Sequence, residues 1–257
     1  MTPGARQAAA ACLAALLAMP AGAGQDGLAD AGLIGGPACE EVAYAEPVRH
    51  YRHFVLGRAH EWGAMEIAPG AAGNLWATET LRPGRGRVFE DLAPRCADLD
   101  GDGGFEIVTV EAAKGEGARL AVWHPGEGRI AATPPLGRSH RWLAPAGIGD
   151  LDADGAPEIA LVAMPHLEGR LEVWTLSRGG LEREAAARGF SNHRIGESII
   201  LSGIRDCGDG PELVLPDFDW TALQAVRVAR GSVFSRTLPL GADRAGLARA
   251  LDCAEAS

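Results

Sequence analysis

Apolar and polar positions along the chain fall into short, strand-like runs parted by glycine-containing turns. "FEIVTVEA" (105–112), "RLAVWHP" (119–125) and "GRIAATPP" (128–135) form one series; "PEIALVAM" (157–164), "RLEVWTLS" (170–177) and "LEREAAA" (181–187) form a second. The first two runs of each series are β-branched, aromatic or alternating, the pattern of strands that are at least half buried. "LEREAAA" has the composition of a helix and is read as a strand only by analogy with the first series. Trp123 and Trp174 hold equivalent places and are expected to be core aromatics.

The feature that repeats most clearly is acidic. "DLDGDGGFEIVTV" (98–110) aligns with "DLDADGAPEIALV" (150–162), so that Asp98, Asp100, Asp102 and Glu106 match Asp150, Asp152, Asp154 and Glu158. "DCGDGPELVL" (206–215) is a shortened copy that keeps Asp206, Asp209, Gly210 and Glu212, and "LDC" (251–253) echoes "RDC" (205–207). A second marker runs in phase, from "LGRAHEWGAMEI" (56–67) to "LGRSHRWLAPAGI" (136–148), with looser copies at 195–204 and 240–251. The spacings are 52 (98 to 150), 56 (150 to 206) and 46 (206 to 252). Such periods indicate a repeat architecture, and about four strands per unit predict a β-propeller blade.

Five segments occupy the inner-strand position: 63–69, 92–99, 143–151, 200–207 and 246–253. The expected fold is therefore all-β, a β-propeller of about five blades closed by joining N- and C-terminal strands. In that scheme "EEVAYAEPVRHYRHFVLG" (40–57) completes the unit begun by "GLARALDC" (246–253), and a Cys39–Cys253 disulfide staples the ring. The alanine content of 246–253 equally suits a helix.

In the spacing D-x-D-x-D-G-x-x-E, alternate side chains of a tight loop converge, and the glycine at the sixth position permits the sharp turn. Crowded carboxylates repel one another without a cation, and hard oxygen ligands suit calcium. The loop is not an EF-hand, because its glutamate falls at position 9 and a strand follows. It resembles the FG-GAP repeat (also called VCBS, of the integrin-α type), most specifically over 92–115 and 143–165. The resemblance implies a calcium-binding loop joining two strands of a blade. Its ligands would be Asp98, Asp100, Asp102, Glu106 and the Gly104 carbonyl in one loop, and Asp150, Asp152, Asp154, Glu158 and the Ala156 carbonyl in the next. The third loop, with too few ligands, is expected to be empty or weak. Members of that family are usually seven-bladed, which this chain is too short to match.

Composition narrows the function. The chain has 257 residues, 47% of them hydrophobic, and a net charge of −10. The absence of a basic patch argues against a nucleic-acid partner and against an anionic membrane surface. Residues 1–23 have the form of a secretory signal peptide, 24–38 read as a flexible lead-in, and 39–257 as a single propeller domain. No second apolar span follows, so no membrane span is expected. Export implies a periplasmic or secreted protein in an oxidising compartment, where Cys39, Cys96, Cys207 and Cys253 allow two disulfides.

Lys114 is the only lysine, which excludes a Walker A loop, a Schiff-base lysine and a Ser-x-x-Lys pair. No zinc-protease motif, nucleophile elbow or dinucleotide fingerprint is present. Polar and aromatic residues do recur just before the inner strands: His60, Glu61 and Trp62; Glu90 and Asp91; His140, Arg141 and Trp142; His193, Arg194 and Glu197. In a ring they would gather at one end of the channel as a ligand-binding funnel, or pair between blades, Arg141 with Glu61 or Glu197. The sequence thus describes an exported, monomeric, calcium-binding β-propeller, more a module for binding a protein or glycan than an enzyme. The alternatives are a periplasmic hydrolase or lyase using the funnel, and a purely structural envelope component.

Overall fold

The structure is a computed structural model that describes residues 39–71 and 75–254. The signal peptide and lead-in expected over 1–38 lie outside the described residues. Among the described residues strands account for 46% and helix for 6%, so the all-β class holds. Among the described residues three antiparallel sheets follow one another along the chain, and none closes into a barrel.

The first sheet has eight strands: β1 (Val42–Val48), β2 (Glu61–Ile67), β3 (Glu79–Leu81), β4 (Arg87–Phe89), β5 (Arg95–Ala97), β6 (Glu106–Ala113), β7 (Gly117–His124) and β8 (Gly128–Ala132). Its path runs β1-β2-β4-β6-β7-β8, with β3 paired to β2 and β5 to β6. The second is a four-stranded meander of β9 (Leu143–Gly149), β10 (Glu158–Ala163), β11 (Arg170–Ser177) and β12 (Gly180–Arg188). The third repeats it with β13 (Gly203–Asp206), β14 (Pro211–Pro216), β15 (Leu223–Ala229) and β16 (Ser232–Thr237). The alanine-rich "LEREAAA" is indeed a strand. The turn at Arg178 and Gly179 folds it back on β11, and the ladder from Ser177↔Gly180 to Arg170↔Arg188 overrides its helical composition.

Period-2 alternation explains how the sheets stack. On β10, Ile159, Leu161 and Ala163 join the core shared with the first sheet, whereas Ala160 and Val162 join the core shared with the third. On β14, Leu213 and Leu215 face the second sheet and Val214 faces the C-terminus. The central strands β6, β9 and β10 are thus buried on both sides, which is why they read as nearly continuous apolar runs. Like strands lie beside like: β9 touches β13, and β8, β12 and β16 follow in series.

Two expectations are corrected. The fifth inner-strand segment is not a strand: Arg244–Leu251 forms α1, with Asp243 as its N-cap accepting the Gly246 N–H at 2.8 Å. Ala- and Arg-rich sequence behind a capping aspartate satisfies its own backbone, and Leu247 and Ala250 pack on the third sheet. Residues 40–57 do not join the C-terminus either, since β1 pairs with β2 from Val42↔Ile67 to Val48↔Glu61. The Cys39–Cys253 bridge is therefore wrong. Cys39 bonds Cys96, at the centre of β5, and Cys207 bonds Cys253, just past α1. Each cysteine pairs with the one its own packing unit brings near.

Candidate metal centre and the neighbouring histidine cluster

The two acidic loops join β5 to β6 and β9 to β10, and they repeat almost bond for bond. The glutamate opening each second strand turns back under its loop: Glu106 Oε2 accepts the Leu99 N–H at 2.8 Å, and Glu158 Oε2 accepts that of Leu151 at 2.6 Å. Asp98 and Asp150 accept Gly103 and Gly155, both at 3.0 Å. Asp100 and Asp152 accept Asp102 and Asp154, both at 3.1 Å. Asx-type bonds of this kind are what aspartate offers a tight turn. They hold one ligand atom each from Asp98, Asp100 and Glu106 within 4.8 Å of one another, and likewise from Asp150, Asp152 and Glu158. These two all-oxygen groups can hold a metal ion. Asp102 and Asp154 stay outside the groups; each instead accepts the N–H of Gly104 or Ala156, at 2.7 and 2.8 Å.

The electrostatics of the loops suit a cation or a proton. Glu106 and Glu158 are buried, and no arginine pairs with either among the described residues. Burial, with the nearby Asp152 adding to it, pushes the Glu158 carboxyl up to about 7, and Glu106 moves the same way. Glu106 Oε1 is buried with no hydrogen-bond partner. A carboxylate oxygen in that state costs free energy until a proton or a cation meets it, and an oxygen-only donor set fits a hard divalent ion.

The third loop differs. Asp206 accepts Gly208 and Gly210 at 2.8 and 3.1 Å, so the turn survives. Glu212, however, is paired with Arg205 at 2.8 Å, Arg236 at 3.0 Å and Arg227 at 3.1 Å. Burial raises its carboxyl, and the guanidiniums of Arg205, Arg236 and Arg227 together bring it below the usual carboxylate range.

The loops that precede the inner strands do meet at one end of the stack. The Gly196 N–H donates to Val55 O at 2.8 Å, and a Cβ on Gly57 would lie 2.3 Å from Gly196 O, so only glycine fits. The expected funnel residues nevertheless fall into two clusters. In the first, Glu61 Oε1 accepts the His53 N–H at 2.9 Å, and Glu90 Oε1 meets His53 Nδ1 at 2.7 Å. Burial raises Glu90, partly offset by its bond to His53. His60 stands edge-on to Trp62 at 4.6 Å. Asp91 is used internally by Arg95 at 2.5 Å. His140 stacks on His53 at 4.8 Å and 8°.

In the second cluster, His193 Nε2 meets Glu197 O at 2.8 Å, and its Nδ1 faces His166 Nε2 at 3.0 Å. Burial lowers His166, and it takes His193 down to about 4. Trp142 links the clusters, donating Nε1–H to Glu90 O at 2.9 Å and packing edge-on to His193 at 4.8 Å. Arg141 reaches neither Glu61 nor Glu197; it lies 3.5 Å from Glu168. Arg194 lies over Trp220 at 4.2 Å. Tyr51, His53 and His166 escaped the sequence reading because they stand outside the repeat phase. The one available signal was the density of histidine in "HYRH" (50–53).

A recess of about 760 Å³ lies between the two acidic loops and is lined by Leu99, Asp100, Gly155, Ala156, Ile130 and Arg178 among others. Among the described residues no helix is long and apolar enough to cross a membrane. No protein-family model, curated protein or solved structure matches the chain.

Proposed function

We propose that the protein is an exported, calcium-stabilised β-propeller of the FG-GAP (VCBS) kind that serves as a binding module in the periplasm or cell envelope. The observation that carries this reading is the pair of superposable acidic loops, each with two aspartates and a buried glutamate within 4.8 Å. Calcium would be held by Asp98, Asp100 and Glu106, and by Asp150, Asp152 and Glu158. There it would neutralise carboxylates that the fold has gathered without a counter-charge. The serial stack of like sheets supports the propeller architecture, with the second and third sheets as complete blades. Two disulfides agree with an oxidising compartment. The recess between the loops has the volume of a small-ligand site, which suits a protein or glycan contact made beside the metal.

Calcium-dependent melting tests the reading. Extracellular calcium modules bind with Kd of about 10⁻⁴–10⁻³ M, so millimolar calcium adds roughly 1–2 kcal/mol per site. The chelated protein should melt several degrees lower and recover fully on adding calcium, with magnesium much less effective. An unchanged melting temperature would sink the proposal.

A further inference from the structure

We propose that His166 and His193 form a second metal site, for a borderline transition-metal cation of the zinc type, bound through His166 Nε2 and His193 Nδ1. The argument is geometric and independent of the calcium loops. The two nitrogens face each other at 3.0 Å. Adjacent imidazole ligands on a tetrahedral ion, with bonds of 2.0–2.1 Å, stand about 3.3 Å apart. The pair therefore opens by a few tenths of an ångström to admit the ion.

The second nitrogen of His193 fixes its first. Glu197 O can only accept, so His193 Nε2 carries the proton and Nδ1 keeps the lone pair. A backbone carbonyl holding the far nitrogen is the usual second partner of a metal-bound histidine. His166 Nε2–H then donates to that lone pair in the metal-free state. On binding, His166 changes tautomer through solvent: its proton moves from Nε2 to Nδ1, both rings stay neutral, and no proton is released overall.

Both histidines are held rigidly, as a preorganised site requires. The turn that carries His166 is drawn tight by Leu167, Glu168 and Gly169, whose N–H groups all donate to Met164 O at 3.0 Å. Ser191 Oγ donates to Pro165 O at 3.1 Å and so ties that turn to the His193 segment. Asn192 Nδ2 anchors the same segment to Pro145 O at 3.1 Å. Trp142 lies parallel to the His166 ring at 6.3 Å and edge-on to His193. His193 is buried, while His166 is half-buried beside the exposed Leu167. The ion's remaining positions therefore face solvent. All four cysteines in the described residues are in disulfides, so none of them competes as a thiolate.

The test is a titration of zinc into the full chain, free of any histidine tag and held in excess calcium. One ion per chain is expected. His166→Ala should weaken binding at least about tenfold while the melting curve stays close to wild type. His50→Ala, an exposed position, should leave binding unchanged. Cobalt(II) bound to the wild type should show a visible band without thiolate charge transfer. Its paramagnetism should broaden the His166 and His193 imidazole signals first, a readout that needs no variant. Absence of stoichiometric binding, or unchanged affinity in folded His166→Ala, overturns the proposal, as does broadening centred on other histidines. The double variant Asp100→Asn/Asp152→Asn should lose its calcium response and keep its zinc, which separates the two sites.

Discussion

Glu106, Glu158 and Glu212 occupy the same place in three successive hairpins, yet they meet their charge in opposite ways. Glu212 has three arginines around it, and they bring its carboxyl below the usual range. Glu106 and Glu158 have backbone N–H groups and aspartates, and both carboxyls are raised. The third loop is also two residues shorter, has lost the middle aspartate and is stapled to the C-terminal segment through Cys207–Cys253. One hairpin carries its cations in the sequence; the other two gather carboxylates that could hold a metal ion. The comparison shows how a repeat can keep its turn and its buried carboxylate while changing what stabilises them.

The largest effect should come from removing the internal solution. Glu212→Gln removes the carboxylate that three arginines share, among them Arg205, whose side chain is 1% exposed. Breaking a buried pair from one side costs about 3–5 kcal/mol. Urea unfolding should show that loss equally with and without calcium. A loss that calcium repairs would place the third loop with the other two.

The external solution is weaker. Asp100→Asn or Asp152→Asn should each abolish about 1–2 kcal/mol of calcium-dependent stability, and the double variant should lose both increments and no longer respond to chelator. Differential scanning calorimetry at millimolar calcium checks this. Strongly unequal single variants would break the equivalence of the two loops.

Acid should partly stand in for calcium. Glu158 is raised above its unfolded value, so its contribution is present below the unfolded pKa and is lost as pH rises through about 7. In chelator, Glu158→Gln should therefore stabilise the protein at pH 8, and the gain should fade towards pH 4.5. With calcium at pH 8 the same variant should destabilise. Glu212 has the opposite sign: its contribution is present at neutral pH and is lost as pH falls through its lowered value. Paired unfolding curves across pH decide whether the substitution changes sign with calcium.

The smallest effect separates the two acidic loops from each other. Their fourth position is left-handed in both, Gly101 at φ 77° and Ala153 at φ 64°. Alanine pays a steric penalty there that glycine does not. Ala153→Gly should raise stability by about 0.5–1 kcal/mol, visible as a small shift in the urea midpoint with calcium affinity unchanged.

Much of this was legible in the residues. The strand runs, the aligned acidic loops and the shortening of the third copy all follow from local pattern. A period-2 strand and a D-x-D-x-D-G turn are specified within about ten residues. The errors came where distant segments had to be matched. Residues 246–253 echo an inner strand in "LDC", but Asp243 caps them into α1. The cysteines were paired by assuming a closed ring, whereas β1 had a nearer partner in β2. The residues expected in the funnel fall into two clusters, His53 and His166 complete these clusters from outside the repeat, and Arg141 turns to Glu168.

The sequence by itself determined the all-β character and the two aligned acidic loops whose carboxylates could hold a metal ion, because each depends on residues close together in the chain. Only the tertiary structure decided which cysteines meet, how the chain ends, that three arginines converge on Glu212, and that two histidines 27 positions apart stand 3.0 Å from one another. These depend on how sheets stack face to face, and contacts between stacked sheets are set by the summed packing of many side chains rather than by any short motif.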